Sequence, residues 1–150
     1  MNIHPTAIVS PDAKLADDIV VGPGVIIGER VEIGSGCVLQ ARAVIESDTT
    51  IGSGNTIGYG AVIGAAPQDY AHTAEIRSSV VIGNNNRIRE YATIHRGTKE
   101  GTVTRIGDKC FLMVGVHVGH NCEISDSAII TNNVLLAGYV HVGESAVLGG

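Results

Sequence analysis

The 150-residue chain has no tryptophan, one phenylalanine and four tyrosines. With so few large rings the interior has to be filled by aliphatic side chains in small units, which disfavours a bulky helix-packed core. Lysine and arginine number 10 against 15 aspartates and glutamates, leaving a net charge of −5 without a basic block. That balance argues against a nucleic-acid or anionic-membrane surface. No apolar run approaches the roughly 18 residues of a membrane span, while a mean hydropathy of +0.23 excludes a disordered tail. Met1-Asn2-Ile3-His4-Pro5 has neither the basic stretch nor the apolar core of an export signal, so a cytoplasmic location is expected. The three cysteines, Cys37, Cys110 and Cys122, are odd in number and widely spaced. They fit neither a disulfide framework nor a metal knuckle.

What the chain does have is a period. Every sixth residue from Ile3 to Ile63 is Ile, Val or Leu, eleven positions without a miss. Those three types fill 42 of 150 positions, so chance gives such a run in one chosen register about once in a million. The aliphatic positions resume one residue out of phase at Ile76, Ile82, Ile88 and Ile94. They continue from Ile106 through Leu112, Val118, Ile124, Ile130, Leu136 and Val142 to Leu148, with Glu100 the one gap. Glycine often follows the aliphatic residue, as at Gly22, Gly28, Gly52 and Gly83, where its freedom in φ is expected to serve a repeated corner.

A six-residue period fits neither a helix nor a long strand, so each hexad reads as a short strand plus a corner, three of them closing a coil of 18 residues. The predicted fold is all-β: one parallel β-helix over residues 1–150, of about eight coils and roughly 40 Å. Its interior is too narrow for a cofactor, so function is expected on outer walls, in protruding loops or between neighbouring prisms. Cys37, Cys110 and Cys122 each stand four residues after an aliphatic position, which makes them small core thiols. Asn55 and Asn86 share that inward position, where stacked amides are expected to satisfy one another.

Two stretches break the register. Between Ile63 and Ile76 the sequence predicts a protruding loop at about 65–75, and between Ile94 and Ile106 a second at about 97–104, the latter keeping the residue count. Of six histidines, His95, His117, His120 and His141 lie near or beyond these breaks. Eighteen residues after His120 comes Gly138, with Tyr139 one coil above and one residue along. A histidine on an outer wall, beside free backbone N–H groups, supplies the base and the oxyanion donor for acyl transfer to a hydroxyl without a serine or cysteine nucleophile. Imidazoles from adjacent prisms meeting on Zn²⁺, as a hydratase using His95, His117 and His120, fit the same residues. A trimeric scaffold without activity also fits. Spacing alone does not separate them.

The repeat, followed by Pro67-Gln68-Asp69, Asn86-Arg87-Ile88-Arg89-Glu90, Thr93-Ile94-His95-Arg96-Gly97-Thr98, His117-Val118-Gly119-His120 and Asn132-Asn133 through Ala137-Gly138, resembles the UDP-N-acetylglucosamine O-acyltransferases of lipid A biosynthesis. The resemblance implies a left-handed β-helix, a homotrimer with clefts between subunits, and transfer of a 3-hydroxyacyl group from acyl carrier protein to the glucosamine 3-hydroxyl of UDP-N-acetylglucosamine. No cofactor or metal is implied. Within it His120 matches the general base and Gly138 the backbone donor to the thioester oxygen. His117 and His95 match cleft histidines, and Gln68 and Asp69 match loop residues near the sugar and the acyl hydroxyl. Tyr139 stands where the family has another cleft histidine, Ala71 where it has a loop lysine, and Asn121 where it has an aspartate that orients the base. The resemblance also implies further coils and a helical C-terminal domain beyond Gly150, so a shortened chain with an incomplete site is expected.

Overall fold

A computed structural model describes all 150 residues and contains twenty-two short β-strands and no helix. Every third strand joins one sheet, giving parallel sheets of eight, seven and seven strands that form the three faces of a left-handed parallel β-helix. Seven complete coils and one further strand are present, a little short of the eight the period suggested.

The reason lies in the two residues of each strand. One points inward and one outward, and the inward one is the hexad's aliphatic residue. The first face stacks Ile3, Val21, Leu39, Ile57, Ile88, Leu112, Ile130 and Leu148 in register. The second stacks Val9, Ile27, Ile45, Ile63, Ile94, Val118 and Leu136. The third stacks Leu15, Ile33, Ile51, Ile82, Ile106, Ile124 and Val142. These residues and the small ones four positions later make a single core of 30 buried side chains, Cys37, Cys110 and Cys122 among them.

Except at Gly64, where φ is +88°, glycine after the aliphatic position has a different role from the one its φ freedom suggests. The left-handed residues are two positions further on, at Arg30, Asn85, Asn121 and Tyr139 for example, each near φ +60°. Gly58 itself has ordinary φ, but a Cβ there would lie 2.6 Å from the Arg89 carbonyl carbon of the next coil. The glycine is selected by close stacking of coils. Asn55 and Asn86 also differ from expectation. Each amide bonds to the main chain of the coil above: Asn55 Nδ2 donates to the Gly83 carbonyl at 2.8 Å and Asn86 N donates to Asn55 Oδ1 at 2.9 Å. Asn86 repeats the pattern with Gly107 and Cys110. Translation by a coil sets main chain, not a second amide, opposite each side chain.

The excursions are longer than the phase implied. Ile51 pairs with Ile82, thirty-one residues on instead of eighteen, an excess of thirteen; Ile82 pairs with Ile106, twenty-four on, an excess of six. Ile76 is therefore no strand position; it lies half-buried in the segment between the strands Val62–Ala65 and Ser79–Ile82. Likewise the stretch from Ile94 to Ile106 carries one hexad more than a regular coil. Both excursions leave between the second and third faces in successive coils, so they come out at one edge of the prism, one above the other.

Candidate active site

Above the second excursion the strand His117–Val118 buries Val118 and turns His117 outward on the second face. The corner Gly119-His120-Asn121 follows, with Asn121 at φ +61°, a conformation Asn tolerates better than most residues. One coil earlier the strand Thr93–His95 runs parallel to it, and one coil later the strand Leu135–Leu136 does. His117 therefore sits over Thr93, and the Thr93 hydroxyl and His117 Nδ1 share a hydrogen bond of 2.7 Å. The His95 ring meets the His117 ring edge-on with centroids 4.7 Å apart.

His120 is clamped on three sides. Its Nδ1 lies 3.0 Å from Asn121 Oδ1, and that same oxygen accepts the Thr98 N–H at 3.0 Å. A backbone N–H can only donate, so the oxygen end of the Asn121 amide is the one turned toward Thr98 and His120. The imidazole must then donate from Nδ1, which leaves the Nε2 lone pair free. The carboxylate that the resemblance places at 121 is absent, yet the Asn121 amide oxygen holds the ring in its stead, without the negative charge. Tyr139 covers the ring edge-on at 5.3 Å and its N–H donates to the His120 carbonyl at 2.9 Å. Gly138 lies against the ring face: a Cβ there would come within 2.5 Å of Nε2. The Gly138 N–H donates to no main-chain carbonyl.

A cleft of about 390 Å³ runs along this wall and is lined by Gln68, His95, His117, Gly119, His120, Leu135, Leu136, Ala137 and Gly138. Five of the seven residues singled out in the sequence meet there. Tyr139 packs on His120 but lies outside the lining. Asp69 faces the second excursion, accepting a short hydrogen bond from the Thr98 hydroxyl, while its other oxygen accepts the Ala71 N–H at 2.9 Å. These bonds hold the Asp69 carboxyl below the usual carboxylate range. The sequence does not mark Thr98 or Thr93 as site residues, since both meet their partners only because the excursions shift the coil spacing.

The imidazoles differ electrostatically. Desolvation, with the nearby His117 and His120 adding to it, pushes His95 down to about 4, and desolvation lowers His117 as well. Both are neutral at pH 7 and act as hydrogen-bonding groups of the cleft. No three His, Cys, Asp or Glu side chains converge within the chain as a metal cluster. No helix is present that could cross a membrane. His141 is on the third face with Nδ1 3.6 Å from Glu123, and His4 bonds to Thr6; both lie away from the cleft.

Residues 30–65 match the family model described as bacterial transferase hexapeptide (six repeats). An acyl-[acyl-carrier-protein]–UDP-N-acetylglucosamine O-acyltransferase from Synechocystis is 49% identical over 87 residues, covering 58% of this chain and 31% of the relative. Its counterpart from Campylobacter concisus is 44% identical over 88 residues, 58% of this chain and 34% of the relative. The crystal structure of the Moraxella catarrhalis UDP-N-acetylglucosamine O-acyltransferase superposes with a TM-score of 0.95 at 42% identity, covering 100% of this chain and 58% of that one. The Bacteroides fragilis UDP-N-acetylglucosamine acyltransferase gives 0.93 at 41% identity, covering 97% and 56%. By sequence and fold alike, the chain matches the β-helical part of these acyltransferases. It spans about a third of the curated relatives in these alignments and a little over half of the crystallised ones. The cleft described above lies in the stretch that superposes on these structures, among residues drawn from three consecutive coils and the first excursion.

Proposed function

We propose that this chain is the β-helical, base-bearing part of an acyltransferase that moves a 3-hydroxyacyl group from acyl carrier protein to the glucosamine 3-hydroxyl of UDP-N-acetylglucosamine. The observation that carries the reading is the state of His120, with Nδ1–H held by Asn121 and Nε2 left free beside the unused N–H of Gly138. In this mechanism Nε2 removes the proton of the sugar hydroxyl as its oxygen attacks the thioester carbonyl carbon. Charge that develops on the carbonyl oxygen is met by the Gly138 N–H. Collapse of the tetrahedral intermediate breaks the carbon–sulfur bond, and the imidazolium returns the proton to the departing thiolate. His95 and His117, kept uncharged, do not repel the imidazolium and serve to bind hydroxyl or carbonyl groups. Asn121 orients the base but gives its positive charge less support than a carboxylate does, so turnover depends more on positioning.

Homotrimer formation is part of the same proposal. The second face presents Ile8, Ile26, Val44 and Val62 outward in one ladder, and the first presents Val20 and Val38, then Thr56 and Arg87, then Phe111, Ile129 and Val147. The third presents Lys14, Glu32, Thr50, Arg105, Glu123 and His141, with Lys14 and Glu32 ion-paired at 2.7 Å. Two mainly apolar walls, the first interrupted at Thr56 and Arg87, and one charged wall suit a closed ring in which the first face of each copy meets the second face of the next. His117 stands on the second face, so the cleft then opens between subunits. The test is acyl transfer by the protein as encoded, with 3-hydroxyacyl carrier protein and UDP-N-acetylglucosamine. His120→Ala is expected to lose on the order of 10² to 10⁴ in turnover; unchanged turnover removes His120 as the base.

A further inference from the structure

Thr98 belongs to no strand and to no cleft lining, yet it is buried and all three of its polar groups are engaged with different parts of the site. Its hydroxyl donates to Asp69 of the first excursion. Its carbonyl accepts from His72 Nδ1 of that same excursion at 3.4 Å. Its N–H donates to Asn121 Oδ1, the oxygen that also accepts from His120. Around it the two excursions are bonded to each other again, Ser78 Oγ donating to the Gly97 carbonyl and Arg77 N to Glu100 Oε2 at 2.8 Å. From these contacts we infer that Thr98 is a positioning residue: it fixes the Asn121 amide, and through it the Nδ1–H form of His120, and it makes that setting depend on the seating of the 66–78 segment.

The physical logic is one of donors and acceptors. If the Thr98 N–H moves off Oδ1, nothing dictates which end of the Asn121 amide faces the imidazole. An amide turned to present Nδ2 needs an acceptor at Nδ1 and so favours Nε2–H, the form free histidine prefers in water, in which Nε2 cannot take a proton. Thr98 is held on Oδ1 from the other side by Asp69 and His72. Displacement of the first excursion is thereby transmitted to the base without either group touching the other. Gln68, which lines the cleft, is the neighbour of Asp69 in the chain. Contact between a bound acceptor and this segment and the readiness of His120 are thus coupled. That consequence for turnover rests on the acyl-transfer reading, whereas the hydrogen-bond relay does not.

The experiment is nitrogen NMR of the ring nitrogens of His120 in uniformly labelled protein at about pH 8.5, where imidazoles are neutral, with amide hydrogen exchange of residues 66–78 alongside. The parent is expected to show one tautomer, Nδ1–H. Thr98→Val keeps the size and the N–H but removes the hydroxyl. It is expected to raise exchange in the segment about tenfold or more and to bring the His120 signals to a mixture of tautomers, with Thr98→Ser restoring both. Asn121→Gly, which keeps the left-handed corner, is expected to give the mixture while the segment stays protected. Either an Nε2–H parent, or a Thr98→Val protein whose segment loosens while His120 stays purely Nδ1–H, overturns the inference. A protein with the relay intact and no acyl transfer overturns the proposed function alone, and turnover with no relay overturns only this inference.

Discussion

Replacing Gly138 by alanine separates the position of the His120 ring from the stability of the coil. Gly138 is not among the glycines with left-handed φ, so its backbone accepts alanine. The obstacle is the imidazole, because the new Cβ would lie 2.5 Å from Nε2 and 2.9 Å from Nδ1. Ordinary carbon contacts fall near 3.5 to 4 Å, so the ring has to retreat by about 1 Å. Retreat weakens the 3.0 Å bond to Asn121, a net loss of about 1 kcal/mol. The alanine restricts the unfolded chain and returns about 0.4 to 1 kcal/mol. Stability is thus expected to change by no more than about 1 kcal/mol, whereas a 1 Å error in a reacting group costs on the order of 100-fold in rate. A second glycine calibrates the result. At Gly119 a Cβ meets the Ala137 carbonyl carbon and the Leu136 carbonyl oxygen, both at 2.8 Å; main chain cannot step aside, and Gly119→Ala is expected to cost about 1 to 3 kcal/mol or more. Urea midpoints at one fixed protein concentration, acyl-transfer turnover and the His120 ring signals together decide the matter. A Gly138→Ala protein with parental turnover and unmoved ring signals refutes the reasoning, and so does one whose activity falls only as far as its stability does.

Asn55→Ala leaves the Asn86 N–H and the Gly83 carbonyl without partners in the interior, and a loss of about 2 to 5 kcal/mol is expected from urea denaturation; a loss under about 1 kcal/mol contradicts the assigned pairing. Burial raises the thiols of Cys37, Cys110 and Cys122, and their sulfurs face the carbonyls of Gly52, Ser125 and Ala137. A thiol reagent at neutral pH is therefore expected to label none of them until the chain unfolds, and prompt labelling of native protein contradicts their placement. His95, lowered from 6.5 to about 4, takes up its proton in the unfolded chain before the folded one. Stability is present above about pH 6.5 and drains away as the pH falls toward 4. With the ring partly exposed, solvent screening reduces the effect to about 1 to 2 kcal/mol. Urea midpoints between pH 7 and 4 should fall less steeply in His95→Gln, and parallel curves for the two proteins remove His95 as the source.

The parts of the molecule legible in the sequence are those that repeat by translation. Ile27 and Ile45 face inward for one reason, that a hexad buries the same residue of every strand, so the pattern survives any single substitution. Cys110 is inert because it shares that geometry with Ala43 and Val116. His120 and Gly138 were brought together by counting eighteen because both follow the last excursion. Elsewhere counting fails, since a period reports phase and is blind to the number of hexads. Ile76 stands six before Ile82 and passes for a strand residue while lying in an excursion. The twelve residues from Ile94 to Ile106 keep the phase, and only the gap at Glu100 betrays the additional hexad they carry. That additional hexad is why His95 meets His117, twenty-two residues apart, and why Thr98 reaches Asn121 instead of stacking on a residue eighteen further on. His120 and its backbone neighbour Gly138 thus come from the regular coil, where their spacing is rigid and readable. The groups that hold the His120 ring's hydrogen through Asn121 come from the excursions, whose closure depends on hydrogen bonds between unlike segments. A chain that kept every hexad but lost the Asp69 to Thr98 contact would retain the fold and the cleft histidines, yet it would no longer specify which nitrogen of His120 carries the proton.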